Sequence, residues 1–146
     1  MTDIDFYILD NDMPLARERM ACRLAEKVYR LGRSVFIHTA SATDSHRLDD
    51  LLWTFRDGSF VPHTLAGQVI EPQTSEAATP VMIGHDENPP DFSDVLINLS
   101  TEVPLFFSRF DRVTEIIGRQ DKASGRERFR FYRDRGYPLK SHNIAL

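Results

Sequence analysis

At 146 residues, 41% of them hydrophobic, the chain is long enough for one sizeable core and too short for two comfortable domains, so a single domain over residues 1–146 is expected. A net charge of −4 argues against a general nucleic-acid binder. No run approaches the ~20 apolar residues that span a bilayer, and the acidic start Met1-Thr2-Asp3-Ile4-Asp5 is unlike a signal peptide, so a cytoplasmic protein without a membrane partner is expected. Cys22 is the single cysteine, which excludes an internal disulfide and a multi-cysteine metal site.

Ile4 to Leu9 is a short apolar, β-favouring run, expected as a first, central strand that ends in the turn cluster Asp10-Asn11-Asp12. From Pro14 to Leu31, Ala16, Met20, Leu24, Val28 and Leu31 recur with helical period, Pro14 opening the helix and Gly32 closing it. Cys22 falls inside this helix as a buried, inert thiol. Ser34 to Thr39 reads as a second strand, parallel to the first through a right-handed crossover. Ser41 or Thr43 can cap a second helix to about Phe55, burying Leu48, Leu51, Leu52 and Phe55 and leaving Trp53 off the stripe.

Phe60-Val61-Pro62-His63 is a short apolar stretch in which Pro62 forbids a central-strand role, so an edge segment or ordered loop is expected. Residues 66–80 read as a loop, Val81 to Gly84 and Val95 to Leu99 as strands, and His85 to Asp91 as a Pro- and acid-rich loop. Val103 to Phe110 suggests a short helix with Leu105, Phe106 and Phe110 on its apolar side, and Val113 to Ile117 another strand. A basic helix from Asp121 to Arg135 stops at Gly136, and the tail from Tyr137 to Leu146 looks loosely attached. Strands alternating with helices make an α/β protein, a three-layer α/β/α sandwich around a mostly parallel sheet.

Catalytic signals are absent. The first strand-to-helix turn, Leu9 to Pro14, carries two carboxylates and no glycine, so it would repel a nucleotide phosphate, and no Walker or dinucleotide fingerprint occurs elsewhere. The five histidines lack ligand spacing, which leaves neither a metal site nor a cofactor to propose. Asp10 and Asp12, at the carboxyl end of the first strand, are the candidates for an enzyme reading, and turn formation accounts for them equally well.

The binding signals lie elsewhere. From Arg119 to Lys140 eight Lys or Arg face three acids, a local charge of +5 against −9 for the remainder. Lys122, Arg126, Phe129, Arg130 and Arg133 share one helix face, a ring framed by cations, while Arg128, Phe131, Tyr132 and Arg135 lie round the other sides. That face suits an anionic ligand. A second patch, Trp53 with Phe60, Val61, Pro62 and His63, reads either as an exposed hydrophobic platform or as closure of the core.

Several stretches together resemble the chi subunit of the bacterial DNA polymerase III holoenzyme. These are Phe6-Tyr7-Ile8-Leu9-Asp10, Leu48-Asp49 through Leu52-Trp53, Ser59-Phe60-Val61-Pro62-His63 with Leu65-Ala66-Gly67, Leu96-Ile97-Asn98-Leu99, and Arg126-Glu127-Arg128 with Tyr132-Arg133. The resemblance implies a nucleotide-binding-like fold without a phosphate loop and a non-catalytic adaptor. That adaptor would bind the acidic C-terminal tail of single-stranded DNA-binding protein and join the clamp loader through the psi subunit, or an equivalent clamp-loader or helicase partner. It further implies that Lys122, Arg126, Phe129 and Arg130, with Arg133 beside them, receive the tail, and that Trp53, Phe60, Val61 and Pro62 contact psi. The family pattern has tyrosine and lysine where this chain has Phe129 and Arg130, which keeps a ring and a cation and loses a hydroxyl. The loop from Gln68 to Asp91 matches poorly, so no role transfers to it. The rival from another class is a protein that binds single-stranded nucleic acid directly, stacking bases on the same helix.

Overall fold

The computed structural model describes residues 2–10, 13–55, 62–65, 81–85 and 94–144. Its strands are β1 (Asp3–Leu9), β2 (Val35–His38), β3 (His63–Leu65), β4 (Val81–Gly84), β5 (Val95–Asn98), β6 (Arg112–Ile117) and β7 (Leu139–Ile144), and its helices α1 (Ala16–Arg30), α2 (Ala42–Thr54) and α3 (Lys122–Asp134). The strands form one sheet in the order β3-β4-β2-β5-β6-β1-β7. Every pairing is parallel, from His63 opposite Val81 at one edge to Leu9 opposite Ile144 at the other. β1 is therefore an interior strand next to an edge, and β2, β5 and β6 hold the middle.

Alternation along the strands divides the core. Leu9, Val35, Ile37, Val81, Ile83, Val95, Ile97 and Ile116 face α1 and α2, while Ile4, Phe6, Phe36, Leu96, Val113 and Ile117 face α3 and the 101–110 segment. Continuous apolar runs such as Val95-Leu96-Ile97 mark strands buried on both faces. Each such side chain taken from water contributes about 1.5–3 kcal/mol, which makes the sheet the rigid part of the molecule. α2 starts where expected, with the Ser41 hydroxyl accepting from the Asp44 amide at 3.2 Å.

Two expectations are corrected. Val103 to Phe110 is not an α-helix. Pro104 disfavours helical backbone in the residue before it, and the segment is too short to nucleate, so turns lead into one 3-10 turn at Phe107–Arg109. Its buried rings are Phe107 and Phe110, and Leu105, expected on the apolar side, is 98% exposed. The tail is also not loose, because Leu139 to Ile144 pair residue for residue with Ile4 to Leu9 as an edge strand. That strand is held by main-chain hydrogen bonds rather than a continuous apolar run, which is why its polar sequence hid it.

Pro62 directly precedes β3, an edge strand, and of the stretch expected as an edge segment or ordered loop only His63 lies in it. Phe60, Val61, the 66–80 loop and most of the 85–91 loop lie outside the described residues.

Candidate functional site

Gly136 fixes the end of α3. Its φ of 82° lies in the left-handed region that glycine adopts without cost, and it lets the Tyr137 amide donate back to the Tyr132 carbonyl at 3.2 Å. At the other end Gly125 lets the helix approach β6, since a Cβ there would meet Ile117 at 2.9 Å. The space beside that approach is a cavity of about 310 Å³. Phe6 and Ile8 of β1, Ile117 of β6 and Ser141 of β7 line it from the sheet, and Gly125, Phe129, Lys122 and Arg126 line it from α3.

The floor of this cavity is apolar and its rim is cationic. Phe129 meets Phe6 edge-on at 5.3 Å between ring centroids, so the ring is fixed as a wall. Lys122 and Arg126 are exposed and make no ion pair among the described residues. Arg130 is exposed one turn beyond Arg126 and does not line the cavity. Arg133 is partly engaged, 3.2 Å from Asp134. Of the five residues expected to act together, the structure thus gathers Lys122, Arg126 and Phe129 into one cavity and leaves Arg130 and Arg133 along the same helix outside it. An anionic group with an attached apolar side chain fits that combination, the charge at the rim and the side chain against Phe6, Ile8 and Phe129.

The opposite side of α3 carries a buried polar network that pattern reading missed. Arg128 is 3% exposed and Glu115, on β6, is fully buried. The Arg128 Nε donates to Glu115 Oε1 at 2.9 Å and its Nη1 to the Thr101 carbonyl at 2.9 Å and the Ser124 hydroxyl at 3.1 Å. The Tyr132 hydroxyl donates to Glu115 Oε2 at 2.7 Å and Asn98 Nδ2 to the same oxygen at 2.9 Å. Burial pushes the Glu115 carboxyl above the usual range, against the pull of Arg128 and its other donors, and burial beside that carboxylate pushes the Tyr132 phenol far up. The available signals were an acid inside an apolar strand and an Arg and a Tyr four residues apart on one helix face.

Each aromatic ring on α3 is engaged. Tyr132 is buried, the Arg135 guanidinium covers the Phe131 ring at 3.5 Å, and Phe129 walls the cavity.

The second patch lies at the other end of the sheet. Trp53, on α2, is 51% exposed, and its ring packs on buried His63 at 4.3 Å. His63 is itself held 3.1 Å from an Asp49 carboxylate oxygen, so the indole rests on a fixed base. Pro62 is exposed beside it, and Phe60 and Val61 lie outside the described residues. Trp53 is thus not closing the core. α2 and α3 cover opposite faces of the sheet, and the six strand spacings from β3 to β7 separate the patches by roughly 29 Å.

At the position expected for a phosphate loop, Asp10 lies 3.8 Å from the Arg119 guanidinium, and Asp12 lies outside the described residues. Among the described residues no group of three or more His, Cys, Asp or Glu could hold a metal ion, and no helix is long and apolar enough to cross a membrane. Cys22 is buried, and burial pushes its thiol up to about 12.

Known proteins match the chain over its whole length. Two solved structures share the fold at low identity. T4 UvsW has a TM-score of 0.69 and 9% identity over 99% of this chain and 42% of its own. A chain in the structure of the E. coli DEAD-box protein SrmB bound to RraA has a TM-score of 0.62 and 12% identity over 99% of this chain and 92% of its own. Sequence relatives are closer. The DNA polymerase III subunit chi of Pseudomonas aeruginosa is 41% identical over 146 residues, 99% of this chain and 98% of its own. The chi subunits of Haemophilus influenzae and Escherichia coli are each 32% identical, over 96% and 97% of this chain. Residues 1–140 match the family described as DNA polymerase III chi subunit, HolC. The chain belongs to the DNA polymerase III chi subunit family and is an accessory subunit of the DNA replication machinery.

Proposed function

We propose that the chain is a non-catalytic, cytoplasmic adaptor. It receives the acidic C-terminal tail of single-stranded DNA-binding protein in the α3 cavity and joins the clamp loader through the Trp53 surface, by way of the psi subunit or an equivalent partner. The observation that carries the tail assignment is the pairing of an apolar floor with two exposed cations, unpaired among the described residues, at the rim of one cavity. Arg126 takes the terminal carboxylate, the final ring of the tail packs against Phe129, Phe6 and Ile8, and Lys122 draws in the preceding acids. Arg130 and Arg133 extend the positive field along the helix. At about 310 Å³ the cavity is at the low end of small-ligand sites, room for one side chain and its carboxylate rather than a nucleotide.

Base stacking on α3, the competing route, is disfavoured because its rings are buried, covered or built into the cavity wall. Fluorescence anisotropy with a labelled acidic peptide ending in Phe tests the tail site. Arg126→Ala and Lys122→Ala should each weaken binding about 10- to 100-fold, the 1.5–3 kcal/mol of a charge-assisted contact. The same peptide amidated at its C-terminus should bind as weakly as the Arg126→Ala variant does to the acid. Equal affinity for acid and amide would remove the assignment. For the other surface, capture of clamp-loader proteins from extract should be lost with Trp53→Ala and retained with Arg126→Ala.

A further inference from the structure

α1 carries a second basic ridge that the tail-binding reading leaves unused. Its fifteen residues include Arg17, Arg19, Arg23, Lys27 and Arg30 against two acids, Glu18 and Glu26. Arg19, Arg23, Lys27 and Arg30 fall at i, i+4, i+8 and i+11, within an arc of about 80° and over a length of about 16 Å. All four are exposed. Arg17 is turned inward onto the Leu99 and Ile116 carbonyls, and Glu26 is buried within 3.8 Å of Arg30. Arg19, Arg23 and Lys27 make no ion pair among the described residues, so three successive turns present unneutralised charge in a protein of net charge −4.

The ridge differs in kind from the α3 cavity. α1's apolar side, with Met20, Leu24 and Val28, is turned to the core, and Tyr29 is packed there as well. Lys27 borders a cavity of about 480 Å³ with Tyr7 and Leu31, and Asp3, Asp5 and Asp111 line the same cavity, so an anionic peptide end entering it meets carboxylates. A terminal carboxylate would have to enter beside those acids to bury its side chain, whereas a chain of phosphates stays outside and needs only a row of charges about 6 Å apart. A single strand can bend to follow a straight helix, while a duplex strand winds away from it after one or two phosphates. We propose that the exposed ridge of α1, Arg19, Arg23 and Lys27 with Arg30, tracks the backbone of single-stranded DNA. Without stacking rings the contact is weak, indifferent to sequence and steeply dependent on salt. It lies on the sheet face opposite α3, so a strand and a peptide tail can be held together.

The test measures anisotropy of a fluorescein-labelled oligothymidylate at low salt, using the full chain. Arg19→Gln, Arg23→Gln and Lys27→Gln are combined because glutamine keeps the helix. The triple variant should bind at least tenfold more weakly, and its plot of log affinity against log salt should be shallower by about 2, the share of three cations on a single strand. Arg126→Ala should leave oligonucleotide binding unchanged and lose only the acidic peptide, which separates this site from the tail site. A melting curve matching the wild type shows that the triple variant is folded. Should that variant unfold, the single Arg23→Glu change carries the same comparison. Binding by the triple variant equal to the wild type, no binding by the wild type at low salt, duplex bound as tightly as the single strand, or polyglutamate displacing the oligonucleotide as well as unlabelled oligothymidylate does would each overturn the proposal.

Discussion

Replacing Arg128 by methionine gives the sharpest test of how α3 is held. The side chain is 3% exposed and donates to a fully buried carboxylate, a carbonyl and a hydroxyl, all within 3.1 Å. Methionine fills much of the volume and supplies none of the donors, leaving Glu115 buried with Asn98 and Tyr132 as its partners. Breaking a buried ion pair from one side costs about 3–5 kcal/mol, which for a chain of this size lowers the melting temperature by roughly 10–15 °C. Adding Glu115→Leu to Arg128→Met should recover about 2–3 kcal/mol relative to the sum of the single changes, because the stranded charge is then gone. The sign of the pH effect follows from the raised Glu115 pKa. A carboxyl whose folded pKa lies above its unfolded value favours folding at low pH and loses that advantage as pH rises through the folded value. The deficit of Arg128→Met should therefore be largest near neutral pH and shrink as pH falls towards 5. Urea denaturation at pH 7 and pH 5 measures it. A cost under about 1 kcal/mol, additivity of the two changes, or a deficit that grows on acidification would refute this account of the network.

Asp94 works in the opposite direction. The Ser34 amide and hydroxyl, both 2.9 Å away, hold its carboxyl below the usual range, so the stability it contributes is present above its unfolded pKa of about 4 and lost as pH falls through the folded value. Asp94→Asn should melt below the wild type at pH 7, with the gap closing below about pH 4, and a constant gap would contradict this. Cys22, buried with its thiol pushed up to about 12, should resist a disulfide reagent at pH 8 until denaturant is added, and rapid labelling of the folded chain would show that α1 opens. Deleting residues 137–146 should both destabilise the chain and abolish acidic-peptide binding, because β7 pairs with β1 and Ser141 lines the cavity. A truncated chain that melts and binds normally would restore the loose-tail expectation.

The strands that sequence placed well are those whose side chains are buried on both faces, since their apolar runs need no tertiary context. Val95 to Asn98 is buried at every position, whereas β7, Leu-Lys-Ser-His-Asn-Ile, is an edge strand with polar or exposed side chains between its ends and carried no such signal. Phe106 and Phe110 were legible as core rings, whereas Phe107 and the irregular backbone were not, because aromatic content alone does not distinguish one 3-10 turn from a helix. The exposed side of α3 was readable from helical spacing. Its buried side depends on Glu115, which is thirteen residues from Arg128 and unremarkable until β6 is laid beneath the helix.

These two sides of α3 are linked through its packing. Lys122 and Arg126 can remain exposed because Arg128 and Tyr132 fasten the helix to the sheet from below. Anchoring through a polar network also fixes the helix in rotation, since a turn of even one residue would carry Arg128 away from Glu115 and turn Phe129 out of the cavity. A purely apolar seam tolerates small shifts of that kind more readily, because its contacts are not directional. The cavity is consequently formed before any ligand arrives, and a short flexible peptide that docks there spends binding energy on its own ordering rather than on the receptor's. A sheet buried on both faces then keeps this cavity and the Trp53 surface at a fixed separation, which is what the proposed adaptor role requires of the fold.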